Sequence, residues 1–426
     1  PPRAAEAVPV AAEQPASAAA GAAVAARAVA PVGAVARSLS VAALAVALAA
    51  AWQWPVAAPA VVAGLLAAFG AVAWRPALLL VLVPAAWPVL DLGAWTGRVF
   101  VDEFDLFMVA VLAGVVWRCG LPQWRAGGWP WSVVAFGASV LLSALWALRA
   151  WEGPDPNQFA HLHSPFNGLR IAKGAVWALA FTLAVRRLEL QPAALTSALV
   201  RGVALGLAMT VAWVLWERAA MVGLLDFDAE YRVTGPFSIM NKGGAYIECY
   251  LAVAAALVLA WGRRWGPVAP AGAPERVASR WTLPGGAVTM GLLLAGTAYA
   301  VMVTYSRNGY AALAAGGVAV LALAVLQSRG ARGRATVLAL GVVALIGAVA
   351  APVLSGAFAR DRLAATAEDF QVRWNHWAAA LSLRDEGVPT ALLGMGTGTF
   401  PVTHYWRSRD ERRAASWRLE PGDGNA

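Results

Sequence analysis

The chain is dominated by apolar segments that recur from about Ser40 to Phe358. Each contains about twenty mostly apolar residues, which is enough for a helix to cross the ~30 Å hydrocarbon layer of a bilayer. Hydrophobic residues make up 60% of the sequence, so most faces of these helices must avoid water. The pattern predicts an all-α polytopic membrane protein with about eleven transmembrane helices.

Three regions follow from this pattern. Residues 1–37, rich in Ala, Val and Pro, predict a disordered cytoplasmic tail. Residues 38–358 form the transmembrane bundle, and residues 359–426 form a periplasmic loop. The predicted segments are 40–54, 56–74, 76–92, 104–117, 131–149, 168–185, 196–216, 240–261, 282–304, 308–327 and 336–357.

Arginines collect in alternate loops, which indicates the orientation of the chain. The loops rich in Arg include 262–281 and 328–335, which we therefore place in the cytoplasm together with the N-terminus. Residues 355–426 then lie on the opposite side. The formal net charge of +9 reflects this topology and contact with anionic membrane lipids. No basic groove interleaved with aromatic residues is present in the sequence, so we expect no nucleic-acid partner.

All four histidines are predicted on the outer side: His161, His163, His376 and His404. Nucleotide-activated donors are not available there, so an enzyme on that side would need a lipid-borne donor. His161 and His163 lie in a Pro-rich loop without a further ligand in sequence, and we predict no metal site and no cofactor.

The segment AEYRVTGPFSIMNKGGAYIE, residues 229–248, is the first candidate site. Arg232 precedes a Gly-Pro turn, and Asn241 and Lys242 stand where the eighth predicted helix opens. Cations and the positive end of a helix could converge there on an anion. The alternative is a capped helix with cations that reach the membrane surface.

The segment TYSRNGY, residues 304–310, is the second candidate. It joins two long apolar helices with almost no loop, so Arg307 is held at the outer membrane boundary. A guanidinium in this position can bind phosphate oxygens through two parallel hydrogen bonds. The alternative is an interfacial anchor.

The segment EDFQVRWNHWAAALSL, residues 368–383, predicts an amphipathic helix lying on the membrane. Its apolar stripe consists of Phe370, Trp374, Trp377 and Leu381. Arg373 and His376 flank this stripe, one residue before each Trp.

A glycine-rich loop follows. Gly394, Gly396 and Gly398 alternate with other residues shortly before His404. This spacing is not a dinucleotide fingerprint, because no strand and crossover helix frame it.

Together, the three segments resemble the O-antigen ligase and Wzy-type polymerase family of bacterial inner-membrane glycosyltransferases. The resemblance covers about residues 200–405 and rests on the stretch from Arg232 to Asn241, the TYSRNG turn, and the run from Arg373 to Phe400. It implies a GT-C-like enzyme with about twelve spans and a large periplasmic loop. Such an enzyme transfers a glycan from undecaprenyl diphosphate to a sugar hydroxyl, on a glycan or lipid A core acceptor, without metal or nucleotide.

The resemblance also implies roles for individual residues. Arg232 and Arg307 match the arginines that handle the diphosphate, and a growing negative charge on that leaving group suits fixed guanidinium groups. The acceptor hydroxyl needs a base, for which we assign His404, with His376 as the alternative. The remaining residues are expected to bind substrate: Asn241, Lys242, Arg373, His376, Gly394, Gly396 and Gly398.

The chain departs from the family pattern at its end. Family members usually carry a His late in the periplasmic loop, just before the last span, and none occurs here after His404. We therefore expect a twelfth helix beyond Ala426, and the base is either His404, His376 or a residue of that further part. In the last case, a chain ending at Ala426 would bind the donor lipid but transfer poorly.

Other classes remain open. A metal-dependent GT-C transferase that uses a lipid monophosphate sugar would need an acidic site such as Asp102-Glu103 or Asp226-Phe227-Asp228. A flippase or secondary transporter would place its polar residues at mid-membrane in broken helices. A structural membrane scaffold would explain the apolar segments but not Arg232 and Arg307.

Overall fold

The computed structural model describes a set of residues separated by short gaps. These residues are 32–90, 92, 96–98, 100–121, 130–150, 153, 158–159, 163–235, 245–262, 286–327 and 332–407. Within them 78% of residues are helical and no strand occurs, which confirms the all-α class.

The helices are numbered in chain order. The first half contains α1 (Ala34–Trp52), α2 (Ala58–Trp74), α3 (Leu79–Ala86), α4 (Glu103–Cys119), α5 (Trp131–Ala147) and α6 (Asn167–Arg187). The second half contains α7 (Pro192–Met221), α8 (Ala245–Gly262), α9 (Gly286–Met302), α10 (Arg307–Gln327), α11 (Arg332–Ser355), α12 (Ala357–Ala364), α13 (Thr366–Ser382), α14 (Val388–Leu393) and α15 (Phe400–Arg407).

A helix lies in each of the eleven predicted apolar segments, with edges that differ by a few residues. The predicted tail of residues 1–37 ends too late, because α1 already begins at Ala34. Residues 1–31 lie outside the described part of the chain. The other boundary, predicted at residue 358, falls inside α12, since the chain turns at Gly356.

Three of the described helices are long and apolar enough to cross a membrane, namely α1, α6 and α7. A fourth is added if α11 and α12, which meet at 86°, are counted as one bent span. Shorter apolar helices include α2 and α5. Large apolar side chains also point outward, among them Trp131, Phe136 and Leu292, as expected for a surface that faces lipid.

Local sequence signals explain where several helices begin and end. Asp102 and Asp105 form a reciprocal capping box at the start of α4. At the start of α10, the Ser306 hydroxyl accepts a hydrogen bond from the Gly309 backbone N–H at 3.3 Å. Pro192 opens α7, where a missing N–H costs nothing.

Small residues let the helices approach closely. A Cβ on Gly202 of α7 would lie 2.6 Å from the carbonyl oxygen of Val81, and one on Gly206 would lie 2.8 Å from that of Pro84. The four-residue spacing keeps both glycines on the face of α7 that packs on α3. Helices α7, α8 and α9 share the largest buried cluster, and α7 thereby becomes a fixed support for the loop that follows it.

The segment predicted to form an amphipathic helix, residues 368–383, lies in helix α13 except for its last residue. Its stripe of Phe370, Trp374, Trp377 and Leu381 is between 55% and 69% exposed. Helix α12, which precedes α13, leaves the direction of α11 at 86°.

Candidate functional site

The first two candidate segments meet at one end of the bundle. The Arg232 Nε donates a hydrogen bond of 2.8 Å to the carbonyl oxygen of Thr304, and the Val233 N–H lies 3.4 Å from the carbonyl oxygen of Val303. The loop after α7 therefore packs along the turn between α9 and α10. We call this region, residues 217–235, 303–307 and 356–358, the arginine cluster.

The turn that carries Arg307 is built from buried side chains. Tyr305 adopts a left-handed conformation with φ of 50° and is 1% exposed. Such a backbone is unusual for a bulky residue and persists only where packing fixes it. The Phe358 ring provides that packing, with centroids 4.7 Å apart in an edge-on arrangement. Arg307, half-buried, begins α10 two residues later.

Glu217, in the last turns of α7, holds the segment that contains Arg232. Its Oε1 accepts hydrogen bonds from the Thr234 N–H at 2.8 Å and the Tyr231 hydroxyl at 2.9 Å. Its Oε2 accepts from the Gly235 N–H at 2.8 Å. Burial, followed by this contact with the Glu217 carboxylate, raises the pKa of Tyr231 to about 12, so the hydroxyl remains a donor.

Arg218 holds the first part of the same loop. Its side chain is fully buried, and its Nη2 donates to the carbonyl oxygen of Asp226. Its own carbonyl accepts the Gly223 N–H at 2.7 Å. The two adjacent residues at the end of α7 therefore hold two parts of the loop, residues 223–226 and 231–235.

The segment after α11 begins in the same cluster. The Asp228 Oδ1 accepts a hydrogen bond of 2.8 Å from the Ala357 N–H at the start of α12. A Cβ on Gly356 would clash with the carbonyl of Phe227, so glycine is needed at this crossing. The loops after α7, α9 and α11 consequently share one end of the bundle, as their predicted common side requires.

The glycine-rich loop docks elsewhere, on the end of α5 and the start of α6. A Cβ on Gly396 would lie 2.8 Å from the Cα of Ala147, and one on Gly398 would lie 2.8 Å from the backbone N of Gly168. The Asn167 Nδ2 donates to the carbonyl oxygen of Gly398 at 2.8 Å. We call residues 143–149, 163–170 and 383–407 the glycine platform.

Side chains hold this platform together. The Thr397 and Ser143 hydroxyls lie 2.6 Å apart. Asp385 forms an ion pair with Arg407 and another, at 3.5 Å, with Arg149, which lies two residues after α5. Close packing thus explains why positions 396 and 398 are glycine. Substrate contact by Gly394, Gly396 and Gly398 remains a prediction.

His404 lies in α15, within the platform. The side chain is 5% exposed, and its ring lies 5.6 Å from that of Phe400. Burial lowers the pKa of His404 below its usual value of 6.5, which favours the neutral imidazole that a general base requires. The His163 ring lies 5.2 Å from that of Tyr405, so α15 also contacts the loop before α6.

This pKa has a measurable consequence for stability. A histidine whose folded pKa is lowered resists protonation, so stability is full above pH 6.5 and falls as pH drops below that value. We expect the free energy of unfolding to fall by up to about 1.4 kcal/mol per pH unit as the pH drops. The His404→Gln variant should not show this pH dependence. Thermal unfolding between pH 5 and 8 measures it, with His376→Gln as the matched control. An identical pH dependence in wild type and His404→Gln would contradict the assignment.

The remaining candidates are dispersed. Arg373 is exposed on α13, and His376 is half-exposed on the same helix. Gly394 adopts a φ of 71° in the loop before α15 and has open space around it. Asn241 and Lys242 lie outside the described residues.

The acidic alternative at Asp102 is engaged in an ion-pair network. The Lys173 Nζ lies 2.6 Å from the Asp102 Oδ2 and 2.7 Å from the Asp105 Oδ2. Glu103 accepts a hydrogen bond of 2.8 Å from the Trp54 Nε1. Lys173 thereby joins α6 to α4. Within the described residues, no three His, Cys, Asp or Glu side chains are grouped as a metal site.

The sequence interpretation missed Glu217 and Arg218. The available signal was the pair of adjacent opposite charges at the end of a long apolar helix. An ionisable side chain in such a place costs free energy unless it has a partner. It also missed Asn167, whose amide bridges the glycine-rich loop to α6. No sequence spacing connects Asn167 with Gly398, which lie 231 positions apart.

Comparisons with known proteins return no match: no family model, no curated protein and no solved structure is similar to this chain.

Proposed function

We propose that the protein is a glycosyltransferase of the bacterial inner membrane that transfers a glycan from undecaprenyl diphosphate to a sugar hydroxyl. The proposal keeps the resemblance to the O-antigen ligase and Wzy-type polymerase family. The observation that carries it is the hydrogen bond from Arg232 to Thr304, which joins the two arginine-bearing segments at one end of the bundle. Two segments that are 72 positions apart thereby contribute to one region.

The proposed chemistry uses the arginines on the leaving group. The acceptor oxygen attacks the anomeric carbon, the bond from that carbon to the diphosphate oxygen breaks, and its electron pair stays on the diphosphate. Arg232 and Arg307 stabilise the charge that grows there, because a guanidinium matches two phosphate oxygens at once. The proton of the acceptor hydroxyl passes to a base.

His404 is the proposed base among the described residues. Its buried, neutral imidazole suits proton acceptance near neutral pH. It belongs to the glycine platform, whereas the arginines belong to the arginine cluster, and α12 and α13 connect the two along the chain. We propose that both regions face one catalytic centre, because the base must reach the acceptor hydroxyl while the arginines bind the diphosphate that leaves the same anomeric carbon.

The proposed topology has eleven spans, with the arginine cluster, α13 and the glycine platform in the periplasm. Eleven apolar helices in the right order support it. The Arg-rich loops lie on the other side, and α13 rests its exposed aromatic stripe on the outer leaflet. Partners are then the lipid-linked glycan, its glycan or lipid A core acceptor, and membrane lipids.

A labelling experiment tests this topology. In a background with Cys119 and Cys249 replaced by Ser, we expect Glu386→Cys to react with an impermeant maleimide added to intact cells. Ala331→Cys should react only after the membrane is opened, because its loop is rich in Arg. Labelling of Ala331→Cys from outside would contradict the orientation.

Transfer itself is tested in proteoliposomes. Purified protein is supplied with undecaprenyl-diphosphate-linked glycan and a glycan acceptor, and mass spectrometry follows release of free undecaprenyl diphosphate. We expect release that requires the acceptor and survives EDTA. Loss of activity in EDTA would favour a metal-dependent transferase. Movement of the intact lipid-linked glycan between leaflets without release would favour a flippase.

A further inference from the structure

The Glu217 carboxylate is buried, and three hydrogen-bond donors from one short segment, residues 231–235, bind its oxygens. The side chain is 5% exposed. The Thr234 and Gly235 backbone N–H groups and the Tyr231 hydroxyl approach its two oxygens at 2.8 to 2.9 Å. A buried carboxylate without such partners would cost several kcal/mol, so the carboxylate and the segment stabilise each other.

Arg232 is enclosed by these contacts. Tyr231 lies directly before Arg232, and Thr234 lies two positions after it. Both of these residues donate a hydrogen bond to the Glu217 carboxylate. Its own Nε is held by the carbonyl oxygen of Thr304. The guanidinium position is therefore set by Glu217 on one side and by the turn after α9 on the other.

The support for Glu217 is rigid. Helix α7 extends over 30 residues and packs closely on α3 through Gly202 and Gly206. The neighbouring Arg218 binds the other part of the loop, at the carbonyl of Asp226. The two parts of the loop thus have separate supports, and Glu217 serves the part that carries Arg232.

We propose that Glu217 is a positioning residue that fixes Arg232 for binding the diphosphate of the lipid donor. The inference rests on the proposed function, because it assigns the diphosphate as the ligand of Arg232. Glu217 itself does not contact the substrate; it acts through the backbone of Thr234 and Gly235.

The test uses Glu217→Gln in the full chain. The glutamine amide places an N–H₂ donor where the carboxylate accepted, so at least one backbone N–H loses its partner. We expect the affinity for undecaprenyl diphosphate in nanodiscs to fall about 10-fold. The melting temperature should fall too little for unfolding of the variant to explain this loss of affinity. Glu230→Gln, the same change at an exposed position in the same loop, should bind as wild type.

A double variant separates positioning from general destabilisation. If Glu217 acts only through Arg232, Glu217→Gln combined with Arg232→Ala should bind undecaprenyl diphosphate as weakly as Arg232→Ala alone. Multiplied losses in the double variant would overturn the proposal. Should Glu217→Gln fold poorly, Glu217→Asp, which keeps the charge but shortens the reach, is expected to show the same non-additive loss.

A second readout does not depend on glycan chemistry. The alkylation rate of Arg232→Cys reports how firmly this position is held, and Glu217→Gln should raise it about 10-fold while Glu230→Gln leaves it unchanged. An unchanged rate would overturn the positioning role. If Arg232→Ala leaves diphosphate binding intact while the alkylation rate rises, the proposed function fails and the role of Glu217 in holding position 232 stands.

Discussion

Replacing Arg232 or Arg307 by Ala is expected to reduce glycan transfer by about a hundredfold to a thousandfold, or about 3 to 4 kcal/mol of transition-state stabilisation. The Arg232 guanidinium is held by the Thr304 carbonyl, and Arg307 is the first residue of α10. A donor fixed in advance stabilises developing charge without reorganisation when the bond breaks. Release of undecaprenyl diphosphate in proteoliposomes measures the loss.

Lysine variants and a matched control complete this prediction. Arg232→Lys and Arg307→Lys should recover only part of the rate, because an ammonium group lacks the planar fork that matches two phosphate oxygens. Arg360→Ala, at an exposed position on α12, should retain wild-type transfer. Full activity in Arg232→Ala or Arg307→Ala would remove that residue from the mechanism.

The second large effect is expected at the glycine platform. Gly396→Ala and Gly398→Ala should each destabilise the docked loop by about 3 kcal/mol. Both positions have positive φ, 104° and 79°, and both new Cβ atoms would lie 2.8 Å from backbone atoms of the neighbouring helices. Trypsin cleavage at Arg384, together with the melting temperature, measures release of the loop from α5 and α6.

Gly394→Ala is the matched control for this series. Its φ of 71° and ψ of −161° strain the backbone of an alanine, but nothing lies within 4 Å of the added Cβ. We expect a smaller cost than at Gly396, of about 1 to 2 kcal/mol, because only backbone strain contributes. Equal effects at Gly394 and Gly396 would show that backbone strain alone, without close packing on Ala147, explains the glycines.

The helices were predictable because their signal is local. A run of about twenty apolar residues identifies a helix by itself, and both α1 and α7 follow from such runs. Edges were less predictable, since the start of α1 at Ala34 depends on packing that extends beyond the most apolar stretch. The turn at Gly356 was also missed, because only its crossing with Phe227 requires glycine there.

The site was predictable only in part. Charge and turn residues identified Arg232 and Arg307 separately, but the contact between their segments depends on a hydrogen bond between distant parts of the chain. Glu217 was overlooked because its partners are mostly backbone N–H groups, which the sequence does not distinguish from those of other residues. The glycine-rich loop was identified, whereas its contact with Asn167 depends on tertiary packing.

Arginine modification in the wild-type protein tests the central claim most directly. Phenylglyoxal reacts with accessible guanidinium groups, and peptide mass spectrometry resolves each position. We predict that undecaprenyl diphosphate slows modification of both Arg232 and Arg307 by about 10-fold, while the exposed Arg384 reacts at its original rate. Unchanged modification of Arg232 and Arg307 in the presence of saturating lipid would contradict a shared diphosphate site.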